Sequence, residues 1–116
     1  MDAPTEFERA LAEFNAERYD EALRILLPLL DAEMPAALGL AGSIYQLGLG
    51  VHPDGPKAVR LLSRAAELGD GLAAHNLGTL YYVGLPGVDR NPTLSRSWYL
   101  KARALGTKFV SDEFHD

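Results

Sequence analysis

Three histidines, His52, His75 and His115, are the side chains in this chain best suited to metal ligation or to acid–base work near neutral pH. They are scattered, and no spacing between them resembles a metal-ligand pattern. The run Asp112-Glu113-Phe114-His115-Asp116 could chelate weakly, but it reads more simply as a solvated end. There is no cysteine, which removes a disulfide framework, a thiolate zinc site and a thiol nucleophile. No serine sits in a recognisable triad context, and no nucleophile elbow or dinucleotide fingerprint occurs. The glycine-rich segments Gly48–Gly50 and Gly84–Gly87 follow helical patterns, not strands. They also lack the Lys-Ser/Thr ending of a phosphate loop. The expectation is a protein without catalytic residues, cofactor or metal.

The elements around these residues repeat. Ala36-Ala37-Leu38-Gly39-Leu40-Ala41-Gly42-Ser43-Ile44-Tyr45-Gln46-Leu47-Gly48 aligns with Leu72-Ala73-Ala74-His75-Asn76-Leu77-Gly78-Thr79-Leu80-Tyr81-Tyr82-Val83-Gly84 at an offset of 36. One inserted residue near Pro86 raises the offset to 37. Gly50-Val51 then matches Gly87-Val88, Asp54 matches Asn91, Leu61 matches Trp98, Ala65 matches Ala102, and Gly69 matches Gly106. Each unit reads as two helices. Leu77 and Tyr81 share a face with the small residues Ala74 and Gly78. A mid-helix glycine costs about 1 kcal/mol against alanine, so Gly42 and Gly78 imply close approach of a neighbouring helix. Asp54 and Asn91 stand where N-caps are wanted, with Pro56 and Pro92 in the first turns. Gly69 and Gly106 suit helix ends. Trp98, aligned with Leu61, is expected mostly in the core with its indole N–H reaching the surface.

The first third fits the plan more loosely. Phe7, Ala10, Leu11 and Phe14 form one apolar face, and Ala22, Ile25, Leu26 and Leu29 form another after a short turn at 15–18. Ala22 and Leu26 lie 36 residues before Ala58 and Leu62. The division is a degenerate unit at 4–33, units at 34–69 and 70–106, and a tail at 107–116, all within one domain.

Leu77-Gly78, Tyr81, Gly84, Gly87-Val88, Trp98-Tyr99, Lys101-Ala102 and Gly106 together resemble a Sel1-like repeat, a relative of the tetratricopeptide repeat. Ala41-Gly42, Tyr45, Gly48, Gly50-Val51, Asp54, Lys57-Ala58, Ala65-Ala66 and Gly69 carry the same signature one unit earlier. Tyr19-Asp20-Glu21-Ala22-Leu23 is similar to an ordinary tetratricopeptide second helix. The departures are Pro86, which lengthens a turn, and Ser95 and Arg103, which replace alanines. The resemblance covers about residues 7–106. It implies an all-α, right-handed superhelix of about three helix-turn-helix repeats, whose first helices line a concave surface. It also implies a non-enzymatic adaptor or scaffold that binds a protein or peptide.

The first-helix face turned away from Leu77 and Tyr81 then supplies the candidate partner residues. In the third unit these are Leu72, His75, Thr79 and Tyr82. In the second they are Ser43 and Gln46, with Gly39. In the first they are Glu8 and Asn15, with Thr5 and Ala12. His75 and Tyr82 are the candidate anchors, because aromatic side chains dominate interface energetics.

Charge narrows the partner. The chain carries −5 overall, but residues 1–33 hold nine acids against three bases, residues 34–106 hold seven bases against four acids, and the last ten residues add −2. The acidic balance argues against nucleic acid and suits a partner with a basic patch. The longest apolar run, Ile25 to Leu30, is too short to span a bilayer, and the acidic start is no secretory signal. A cytoplasmic location is expected. The alternative reading is an immunity or inhibitor protein that neutralises a toxin, motivated by small size and acidity. A solenoid end left uncovered would also permit self-association, and Phe109, Val110 and Phe114 in the tail are apolar enough to start a covering helix.

Overall fold

In the computed structural model, the described residues are 3–107, and they form six helices: α1 (Glu6–Asn15), α2 (Tyr19–Asp31), α3 (Pro35–Leu47), α4 (Gly55–Glu67), α5 (Gly71–Val83) and α6 (Pro92–Ala104). Consecutive helices pair as α1–α2, α3–α4 and α5–α6, and successive pairs stack through α2–α3, α4–α5 and α3–α5. The fold is an all-α repeat. The covering helix expected in the tail at 107–116 lies, beyond residue 107, outside the described residues. None of the described helices is long and apolar enough to cross a membrane.

Local chemistry sets where the helices begin. Thr5 caps α1 in a capping box: its hydroxyl accepts from the Glu8 N–H at 3.0 Å, and the Glu8 carboxylate accepts from the Thr5 N–H at 3.0 Å. Asp54 and Asn91 cap α4 and α6, accepting from the backbone N–H three residues on. Asp70 does the same for α5, accepting from both Leu72 and Ala73. Proline in the first turn of α3, α4 and α6 removes an N–H that would have no helical partner. After α4 and α6 the chain turns through Gly69 and Gly106 at φ 100° and 86°, a conformation that side chains resist.

The helices pack around two connected cores. One joins α1, α2 and α3 through Ala10, Leu26, Ala37, Ala41 and Ile44. The other joins α3 to α6, with Leu62, Leu77 and Leu80 fully buried. Leu30 and Leu61 touch both clusters, so the stack is continuous. The two mid-helix glycines mark the closest crossings. A Cβ on Gly42 would meet Leu62 Cγ at 2.6 Å, and one on Gly78 would meet the Tyr99 ring at 2.6 Å. Trp98 is half-buried against the second core, and the fully packed aromatic is Tyr99, which stands at the Leu62 position and is 3% exposed. Ser95 replaces the alanine at position 58 and stays buried because its hydroxyl donates to the Gly78 carbonyl at 2.7 Å.

Candidate partner-binding face

The seam between α3 and α5 shows what the candidate residues do. Gly39 lies against Asp70 and Ala73. The Ser43 hydroxyl donates to the Gly39 carbonyl at 3.0 Å, Asn76 Nδ2 donates to Ser43 Oγ at 2.9 Å, and Gln46 Nε2 donates to the Asn76 carbonyl at 3.1 Å. Ser43 and Gln46 therefore tie two first helices together, and what they offer a partner is the part left at the seam's edge.

Thirty-six residues on, His75, Thr79 and Tyr82 occupy the same face of α5. The Thr79 and Tyr99 hydroxyls are hydrogen-bonded at 2.8 Å, and the His75 ring stacks at a tilt on Tyr99 with centroids 5.2 Å apart. Burial lowers the His75 pKa below the usual imidazole range, which favours the neutral ring. Tyr82 is 45% exposed, with the Arg90 guanidinium 5.6 Å from its ring centroid and Arg90 Nε donating to its carbonyl at 2.9 Å. Leu72 is 52% exposed. Glu8 is held in the capping box, and hydrogen bonds from Thr5 lower its pKa. Asn15 is exposed at the last residue of α1, and Ala12 is exposed as well.

These residues divide among several places. A groove of about 280 Å³ runs across α1, α3 and α5, walled by Phe7, Leu11, Leu40 and Leu72 over a floor that includes Gly39, Ser43 and Ala73. Ser43 and Leu72 are the candidates it brings together. A second hollow of about 140 Å³ lies at the other end of the α3–α5 seam, where Gln46 and Thr79 meet Leu47 and Val83. Glu8, Asn15, His75 and Tyr82 line neither. Sequence reasoning passed over the apolar part of both. Phe7 and Leu11 read as part of an inward apolar face, yet Leu11 is exposed and Phe7, like Leu40 of α3, is only half-buried. Leu47 and Val83, 63% and 67% exposed, are the most exposed large apolar side chains among the described residues. They stand 36 residues apart, and that recurrence of an apolar residue on the last turn was the available signal.

Among the described residues, no three His, Asp or Glu side chains gather as a metal site would need. The arrangement offers shape, apolar contact and hydrogen-bonding edges, which are the means of recognition.

The same architecture occurs in known proteins. The Sel1 repeat model matches residues 35–70 and 71–107, more than half of the chain. Among solved structures, a Sel1 repeat protein from Oxalobacter formigenes superposes with a TM-score of 0.74 at 32% identity, over 83% of this chain and 39% of that one. A protective antigen of uropathogenic Escherichia coli with an SLR fold superposes with a TM-score of 0.76 at 30% identity, over 87% of this chain and 22% of the other. This chain thus spans less than half the length of either. No curated protein matches it closely enough to count as a relative. With two matched repeats, the chain belongs to the Sel1 repeat family, whose members typically mediate protein–protein interactions.

Proposed function

We propose that this chain is a non-enzymatic adaptor that holds a protein or peptide along the groove of its first helices. The observation that carries the reading is the groove itself, which crosses all three first helices and presents part-exposed apolar walls at Leu11 and Leu72. Grooves of this kind accept apolar side chains of an extended or helical segment, while nearby amides and carbonyls fix its register. The acidic first third favours a partner with basic residues beside its apolar anchors, because opposite charge raises the encounter rate.

A photo-activated cross-linking residue placed at Leu11 or at Leu72 tests this in the native cell. Both positions should capture the same partner, whereas the same residue at exposed Arg60 on α4 should not. Capture of different proteins from the two positions, or equal capture from Arg60, would sink the reading.

A further inference from the structure

The groove and the hollow beyond it lie on one stripe of residues, written twice. On α3, Ala36, Leu40, Ser43 and Leu47 follow at intervals of four, three and four residues, and on α5 Leu72, Asn76, Thr79 and Val83 do the same. Such intervals keep each set on one helix face. Both stripes are apolar toward their ends and polar between. Leu40 and Leu72 wall the groove, Leu47 and Val83 line the far hollow, and Asn76 Nδ2 donates to Ser43 Oγ at 2.9 Å between the two. Leu40 to Leu47 on α3, and Leu72 to Thr79 on α5, each step from one hollow to the next in seven residues, about 11 Å of helix.

The polar side chains along this track are engaged within the protein. Gln46 Nε2 donates to the Asn76 carbonyl, the Ser43 hydroxyl to the Gly39 carbonyl, and the Thr79 hydroxyl is bonded to that of Tyr99. An extended segment laid here would press its own N–H and C=O groups against apolar walls, and each group left unpaired carries a desolvation cost. A helix arrives with those groups already bonded, and residues seven apart on it share a face. Charge marks one end of the track. Asp70 Oδ1 accepts from the Leu72 and Ala73 N–H groups at 3.1 and 3.2 Å, while its Oδ2 stands over Gly39, 2.6 Å from where a Cβ would lie, on the lining of the groove. That second oxygen suits a cation from a partner.

We propose, building on the groove reading above, that the occupant is an amphipathic helix of another protein lying along the α3–α5 seam. It seats two apolar residues seven apart, one in each hollow, passes Ser43 and Asn76 with a small or polar residue, and brings a Lys or Arg to Asp70.

Two synthetic peptides that span the same distance separate a helix from an extended chain. One is a lactam-locked, alanine-rich helix of about 15 residues with leucines seven apart and a lysine beyond one of them. The other is a proline-rich extended peptide with the same leucines three or four residues apart, again about 11 Å. In fluorescence anisotropy with the full chain, the helix should bind at least about tenfold more tightly than the extended peptide. Leu47→Ser with Val83→Ser, both at exposed positions, should leave the circular dichroism unchanged and weaken the helix at least about tenfold. Asp70→Asn, which keeps an N-cap, should weaken it about threefold, with no effect on a helix carrying Gln for the lysine. Equal or tighter binding of the extended peptide overturns the helical occupant and leaves the groove reading standing. Helix binding indifferent to Leu47 and Val83, or binding of neither peptide, overturns the two-anchor seat as well. Cross-linking from Leu11 and Leu72 then decides the groove reading separately.

Discussion

The first helix pair and the two that follow meet the same packing requirement with different residues. In the later pairs the helices cross over a glycine, with Leu62 filling the space above Gly42 and Tyr99 the space above Gly78. In the first pair the inter-helix link is Ala16–Arg18 where the next pair uses residues 48–54, and allowing for that difference Ala10 stands at the Gly42 position. Ala10 and its counterpart across the pair, Leu26, are both fully buried. Leucine lies across from alanine in the first pair and from glycine in the second, and in the third a tyrosine ring fills the space across from glycine. Comparing the first pair with the third, the larger ring of Tyr99 goes with the smaller facing residue Gly78, a size compensation. Turns differ in the same sense: the later units turn through glycines at positive φ, whereas the first places Glu17 at φ 62° and Glu33 at φ 53°.

Gly78→Val tests that compensation hardest. Its Cβ would enter the Tyr99 ring, and overpacking of this severity costs about 3 kcal/mol or more, lowering the melting temperature by more than about 10 °C. Gly78→Ala with Tyr99→Leu, which copies the Ala10–Leu26 pairing, should recover most of the loss in thermal melts. If the copied pair is no better than Gly78→Ala alone, size compensation is the wrong account.

Tyr99→Phe isolates the polar part of the third unit. It removes the hydrogen bond to Thr79, which Leu62 in the second unit has no means to make, and should cost about 1 kcal/mol. Combined with Thr79→Val in a double-mutant cycle, the two changes should be clearly non-additive in urea denaturation. Strict additivity would mean that the hydroxyls contribute nothing to each other.

Glu17→Gly should move the first unit toward the others and stabilise the chain by about 1 kcal/mol, since a side chain at positive φ is strained and glycine is not. Glu33→Gly should yield less, because it forfeits the solvent-screened ion pair with Arg64 at 2.8 Å. A larger gain at Glu33 than at Glu17 in denaturation midpoints would contradict this ordering.

The fold was open to sequence reasoning because its signals are local and repeated. Asp54 and Asn91 act as the caps their positions suggest, and Gly42 and Gly78 sit at close crossings, as glycine within a helix implies. The site was less open. Periodicity identifies the face that carries Ser43 and Gln46, but only the docked position of Asn76 shows that they bridge two helices. Periodicity also assigns Phe7 to an apolar face without showing how far inside it lies, and half-burial is what makes it a groove wall. Tyr99 escaped notice beside Trp98 because two adjacent aromatics compete for one inward position, and the choice between them depends on helix phase.

The smallest expected effect separates the third unit from the others by pH. At the position of His75 the second unit has Gly39, so a response from this imidazole belongs to the third unit alone. Burial lowers its pKa in the folded chain, so the unfolded chain binds the proton more readily. The contribution to stability is therefore complete above about pH 6.5 and is lost as pH falls from there through the lower folded value. The carboxylates of Glu8, Glu13 and Glu33, held low by Thr5, Arg18 and Arg64, act in a separate window. Their contribution is present above the ordinary glutamate range and is lost below it, about pH 4.3 and under. Melting temperatures measured from pH 7.5 to 5 should decline modestly for the unaltered chain and less for His75→Gln. Equal slopes would place the titrating group elsewhere and remove pH from what distinguishes the third unit.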